Sequence, residues 1–424
     1  MNGEMVGEWW VDARGQHVFR YDWSWLNRLN ARPLSLSMPL RLPEVYRGDV
    51  VANYFENLLP DNRSIRQRIQ ARFGANSTRA FDLLSEIGRD CVGAVQLLPE
   101  FAKPGDVGLI EGEPLDALEI EEVLNQQGGQ WGPSALSEFR ISLAGTQEKT
   151  ALLRHDGVWK RPIGSTPTTH ILKLPLGRLH AIDLSTSVEN EWLCHRILCE
   201  LGIPVAPCQI ERFGKTRVLV VERFDRHWAG QRLLRLPQED MCQATGTSPA
   251  LKYENEGGPG VEKIFKLLLG SSQALSDRRD LLKTLLAFWL LAAMDGHAKN
   301  FSIFLRSQGR YSLTPRYDVL SAHPVIGHGA GKIPRQQVKM AMRIWGKQTH
   351  YHWDHMKRSH WRITAADCGM AGQFEEVMDE ILACTPAALD RVRTSLPADF
   401  PVWLGESILG GTQASLERLM RDSS

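Results

Sequence analysis

The chain has 424 residues, 43% hydrophobic and 23% charged, which excludes a disordered protein and allows a large core spread over more than one lobe. Its 50 Lys+Arg nearly balance 49 Asp+Glu to a net charge of +1, which argues against a surface devoted as a whole to nucleic acid or membrane. Seven scattered cysteines without a C-x-x-C pair exclude a zinc knuckle or disulfide framework and point to reduced thiols. No apolar run approaches the roughly 20 residues of a bilayer span, and MNGEMVGEWW lacks a signal peptide's basic and apolar regions, so a soluble, cytoplasmic protein with no membrane partner is expected.

Residues 1–100 read as a first domain of short alternating segments such as HVFRYDW. It includes a helix from Asp61, where DNRSIRQRIQARFG offers a cap, a basic face and a closing Gly74. Arg63, Arg66, Arg68 and Arg72 on that helix read as a solvated face rather than a phosphate site. Residues 101–133, rich in Gly, Pro and acids, read as a connector with one short acidic helix and a lobe boundary near Gly132. Residues 134–236 read as a mixed lobe. Strands RISLAG, KTALLR and THILKLP precede the helix ENEWLCHRILCELG, and strands APCQIERF and TRVLVVERF follow around a turn at Gly214. Residues 237–424 read as mostly helical, with LLAFWLLAAM as a core helix and FSIFLRSQGRYSLTP as a hairpin. The expected class is α+β.

The apolar run LLAFWLLAAM ends on DGHAKN. Asp295 and Asn300 stand five positions apart, and Asp318 follows 18 residues later, beyond the hairpin. Protein kinases use this order: an Asp that positions the attacking hydroxyl, an Asn on Mg²⁺, and a second Asp between metal and phosphates. A kinase also needs a lysine on an upstream strand, which Lys173 supplies, and an acid on the next helix, for which Glu189 and Glu191 are candidates. VVERFD ends a strand where a kinase has its hinge, so backbone groups of Glu222, Arg223 and Phe224 are expected at the adenine edge. His297 and Lys299 are candidates both for phosphate contact and for structural hydrogen bonding. GKT at 214–216 fails as a P-loop because Gln209 occupies the first glycine position. The histidines His350, His352, His355 and His360 read as helical-lobe surface rather than a metal site.

Several stretches carry a family resemblance: NLLPDN, IGRDCVGAVQLLP, RISLAGTQEKTALL, STPTTHILKLP, VLVVERFDR, KYENEGGPG, DGHAKNFSIFL and LTPRYDVLSA. With them the chain resembles, from about residue 50 onward, the HipA family, the kinase toxins of bacterial HipBA toxin-antitoxin modules. The resemblance implies a protein-kinase-like two-lobed fold, with an N-terminal mixed lobe and a mostly α-helical C-terminal lobe. It also implies serine/threonine kinase activity with ATP and Mg²⁺, and a HipB-like helix-turn-helix antitoxin through which the pair binds operator DNA as co-repressor. The implied substrate is an aminoacyl-tRNA synthetase, glutamyl-tRNA synthetase first, whose modification stalls translation and produces dormancy. On matching positions it makes Asp295 the catalytic base, Asn300 and Asp318 Mg²⁺ ligands, Lys173 an ATP contact, and Ser142 an autophosphorylation site. The loop from Ser142 to Lys149 has only Gly145 where a kinase lid has G-x-G-x-x-G, so phosphate cradling is expected to lean on fewer flexible backbone positions plus Ser142, Thr146 and Lys149. A phosphate on Ser142 would add about −1.5 to −2 charges there and is expected to inactivate the enzyme. Two other functions compete: a catalytically weak partner of a DNA-binding antitoxin, and a small-molecule phosphotransferase.

Overall fold

The computed structural model describes residues 1–125, 147 and 149–421. Ser142, Gly145, Thr146 and the expected RISLAG strand lie outside the described residues. The contacts divide the chain into two compact units. The first takes in residues 1–174, 211–250 and 302–311, and the second residues 175–210, 251–301 and 312–424. This differs from the sequence-based division at residues 100/101, 133/134 and 236/237. Pairing decides membership, not chain order. Ser302–Leu305 forms an antiparallel ladder with Gln238–Asp240, so part of the hairpin joins the first unit. The Ser187–Glu200 helix packs on Ala371–Thr394 and falls with the helical unit.

In the first unit, strands Gly7–Val11, His17–Tyr21 and Val45–Arg47 form an antiparallel sheet. Phe19, Tyr21, Tyr54, Phe55, Leu83 and Leu84 pack into the core beside it. The basic helix runs Arg63–Phe73. The Asn62 side chain caps its first turn, Gly74 ends it at φ 69°, and none of its residues is buried. A six-stranded sheet follows, in the order Cys208–Phe213, Thr216–Glu222, His170–Lys173, Lys149–His155, Val158–Pro162, Gly112–Pro114, with residues 208–210 of its first strand counted in the second unit. Residues 101–133, read as a connector with one short acidic helix, contain both an edge strand and a helix. Gly112–Pro114 pairs with Val158–Pro162, and helix Ala117–Asn125 inserts Ile120 and Leu124 among Leu152, Leu172 and Val220. Three residues, GEP, are too few to show a period of two.

A buried ionic cluster joins distant segments of the same unit. Asp90 receives Arg226 at 2.9 Å, Arg235 at 2.8 Å and Arg223 at 3.3 Å, while Asp225 pairs with Arg223 at 2.8 Å and Arg226 at 3.1 Å. Burial pushes the Asp90 carboxyl up, but Arg226, Arg235 and Arg223 together overcome it and hold the group well below the usual carboxylate range.

The second unit is built on helix Ala274–Leu290, buried on every face from Leu281 to Leu290, as a continuous apolar run requires. Helices Val261–Leu268, Ala371–Thr394 and Val402–Arg421 pack against it. Among the described residues no helix is long and apolar enough to cross a membrane. His350 stacks on His360 at 3.9 Å, and no group of three His, Cys, Asp or Glu among the described residues is placed to hold a metal ion.

Candidate active site

In the helical unit, the Ala274–Leu290 helix ends just ahead of Asp295, and a short turn folds DGHAKN back on itself. His297 N–H donates to Asp295 O at 2.8 Å, and Asn300 N–H to His297 O at 2.9 Å. Gly296 is required here, because an added Cβ would sit 2.7 Å from the buried Phe288 ring. The Asp295 side chain is 61% exposed and accepts a hydrogen bond from the Tyr253 hydroxyl. His297 is buried edge-on to Tyr253, with Nε2 3.9 Å from Asp295 Oδ1. Burial holds its imidazole below the ordinary value against the opposing pull of Asp295 and Asp318, so it is neutral at pH 7. Lys299 is buried too, and its carbonyl accepts from the Tyr317 hydroxyl at 2.8 Å.

Asn300 and Asp318 are brought together. Asn300 Nδ2 donates to Asp318 O at 3.1 Å, and Asp318 adopts the left-handed conformation at φ 61°. The segment is pinned on two sides. Ser321 exchanges two 2.8 Å bonds with the Asn190 side chain on helix Ser187–Glu200. Ala322 N–H donates to Ala292 O at 3.1 Å, and His323 Nε2 lies 2.9 Å from Leu290 O, both at the end of the central helix. Asn300 Oδ1, by contrast, is buried and accepts no hydrogen bond among the described residues. Such an oxygen costs about 1–3 kcal/mol of stability. An amide oxygen is a hard oxygen ligand, and Asp318, whose backbone carbonyl accepts from the same amide, brings a carboxylate, so these residue types fit Mg²⁺.

In the sheet unit, Lys173 ends its strand, 6% exposed, and its register partner on Lys149–His155 is Lys149. Directly opposed residues have Cβ atoms about 4.5–5.5 Å apart, so both side chains leave the sheet on the same face. Glu222 is exposed opposite His170. The expectation that Arg223 offers its backbone to an adenine meets a competing bond, because its N–H donates to Thr169 O at 2.9 Å and continues the ladder. Its guanidinium turns inward to Asp225 and Asp90. Phe224 packs edge-on to Phe304 at 5.8 Å. Glu189 and Glu191 are buried on Ser187–Glu200, in the other unit from Lys173.

Sequence reasoning missed Tyr253, Asn190 and the Asp90 cluster. Tyr253 had a signal in KYENEGGPG: a Cβ on Gly258 would lie 2.0 Å from Leu251 O, and one on Gly260 2.0 Å from Glu254, so this loop folds too tightly for side chains.

Residues 1–98 match the family described as HipA N-terminal domain, and residues 141–389 the one described as HipA-like C-terminal domain. The Sinorhizobium fredii protein Y4mE is 33% identical over 374 residues, covering 87% of this chain and 84% of its own. The serine/threonine-protein kinase toxin HipA of Shewanella oneidensis is 30% identical over 335 residues, covering 75% and 73%. Among solved structures, a chain of the Shewanella oneidensis MR-1 complex of HipA, HipB and operator DNA superposes with a TM-score of 0.81 at 25% identity, covering 99% of this chain and 97% of that one.

Proposed function

Because the chain belongs to the HipA family of serine/threonine kinase toxins, we propose that it transfers a phosphoryl group from Mg-ATP to a hydroxyl of an aminoacyl-tRNA synthetase. Glutamyl-tRNA synthetase is the first candidate, and translation arrest in the cytoplasm is the outcome. The observation that carries this reading is the buried Asn300 Oδ1, without a hydrogen bond among the described residues, on a side chain whose Nδ2 donates to Asp318 O. These two residues hold Mg²⁺, which when bound neutralises charge on the phosphates. Asp295, exposed and steadied by Tyr253, orients the substrate hydroxyl and takes its proton. Neutral His297 adds no cation that would draw the Asp295 carboxylate away from that task. Lys173 and Lys149 receive the ATP phosphates, Gly145 and Thr146 cover them, and Glu222 with Phe224 lies at the base. Ser142 takes a phosphate from the enzyme itself, which inactivates it.

The Shewanella complex contains HipB and operator DNA. By likeness to it, this chain pairs with a HipB-like helix-turn-helix antitoxin and acts with it as co-repressor. Incubation with labelled ATP, Mg²⁺ and a panel of purified synthetases tests the reading. Label is expected on one synthetase, and on the enzyme at Ser142, only while Asp295 is intact. Label confined to a small metabolite, or none at all, overturns it.

A further inference from the structure

Helix Ser187–Glu200 carries a polar group that phosphoryl transfer does not use. His195 is 2% exposed, with its Nδ1 3.3 Å from the Sγ of Cys208, and its Nε2 3.9 Å from Oε1 of Glu191 one turn earlier. Cys208 begins Cys208–Phe213, the outermost strand of the six-stranded sheet, and is partly open to solvent. Thiol, imidazole and carboxylate thus stand in the order that activates a nucleophile: the ring takes the thiol proton and the acid steadies the charged ring. None of the seven cysteines forms a disulfide. Cys91, Cys194 and Cys368 are buried, and burial pushes their thiols up, for Cys91 and Cys368 to about 12, so they stay protonated and inert. Cys199 and Cys384 are more exposed than Cys208 and serve as references for accessibility alone.

We propose that Cys208 is a peroxide-reactive thiol, activated by His195, whose oxidation lowers kinase activity; the second half rests on the kinase reading above. The Cys208 proton passes to His195 Nδ1, and the thiolate attacks one oxygen of hydrogen peroxide. The O–O bond breaks, and the departing hydroxide recovers the proton as water. Sulfur is oxidised to the sulfenic acid and peroxide is reduced, with thiol plus peroxide giving sulfenic acid plus water. The product adds an oxygen atom to a sulfur that stands 3.3 Å from the buried His195 ring. The strain falls on the helix whose Asn190 holds Ser321, three residues beyond Asp318, so the metal-binding segment is displaced with it.

The test treats the full chain, without ATP, with hydrogen peroxide and the sulfenic-acid trap dimedone, and follows each cysteine peptide by mass spectrometry. Cys208 should label about tenfold faster than Cys199 or Cys384 despite its lower exposure, and more slowly in His195→Gln. If His195→Gln fails to fold, the comparison within the wild-type chain still decides. Equal or slower labelling of Cys208 overturns the assignment. In the second arm, peroxide should lower synthetase phosphorylation, dithiothreitol should restore it, and Cys208→Ser should be active and peroxide-resistant. Labelling without loss of activity, or a loss that persists in Cys208→Ser, overturns the link to the active site. A chain inactive before treatment speaks against the kinase reading, while the labelling, which needs no turnover, still judges the thiol.

Discussion

Replacing Asn300 with leucine separates ligand binding from folding. The substitution removes the Nδ2 bond to Asp318 O and the unsatisfied Oδ1 at once. Losing the bond costs about 0.5–1.5 kcal/mol, while deleting a buried acceptor without a partner returns about 1–3 kcal/mol. The two nearly cancel, and the ligand-free variant should be as stable as wild type or slightly more so. Its response to nucleotide should differ sharply. At ligand near 100 times its dissociation constant, binding stabilises the wild-type fold by about 2.7 kcal/mol, a rise of several degrees in melting temperature. That rise should need Mg²⁺, vanish with a chelator, and be absent from Asn300→Leu. Thermal unfolding with and without Mg-ATP reads both halves. A ligand-free loss of several kcal/mol would mean that Oδ1 is structurally bonded, and an intact Mg-dependent rise would mean that Asn300 is no metal ligand; either refutes the reasoning.

Asp295→Asn should leave the melting temperature unchanged, the side chain being mostly in solvent, and lower phosphorylation about 10²- to 10⁴-fold; activity within tenfold of wild type removes Asp295 as the base. Gly296→Ala should destabilise by about 1–3 kcal/mol as its Cβ meets Phe288, and lower kcat by displacing Asp295; wild-type turnover in a steady-state assay would show the close approach to be dispensable. Asp90→Asn strips a carboxylate shared by three guanidinium groups and should cost about 3–5 kcal/mol in urea unfolding. The folded Asp90 value is depressed, so its contribution is present above the unfolded value of about 4 and fades as pH falls below it towards the folded value. The wild-type urea midpoint should therefore drop more steeply with acid than that of Asp90→Asn, and parallel slopes would contradict the pairing.

The elements around the site were legible because kinase chemistry concentrates its groups in short stretches. DGHAKN interrupts an apolar helix with four polar side chains, and Gly74 and Gly202 stop their helices where the chain turns to φ 69° and 71°. Partners distant along the chain were not legible. Asn190 and Ser321 are 131 residues apart, and Asp90 and Arg235 are 145 apart, and no local pattern relates them. The inward role of the Arg223 side chain was hidden for a related reason. It sits at an inward position of the alternation after Val221 and Glu222, where its buried counter-ions Asp90 and Asp225 lie far along the chain or beyond the strand. Gly112–Pro114 was hidden because an edge strand of three residues carries no period.

The pairing of Ser302–Leu305 with Gln238–Asp240 also governs when a growing chain can finish folding. The N-terminal segment leaves the ribosome with Asp90 long before Arg223, Arg226 and Arg235 exist to neutralise it, and the sheet unit waits for residues beyond DGHAKN. The central helix in turn waits for Val402–Arg421, the last helix among the described residues. A message interrupted before that point yields a chain whose most apolar helix has lost part of its cover. Such a fragment is matter for proteases, and a cell that makes it gains no toxin.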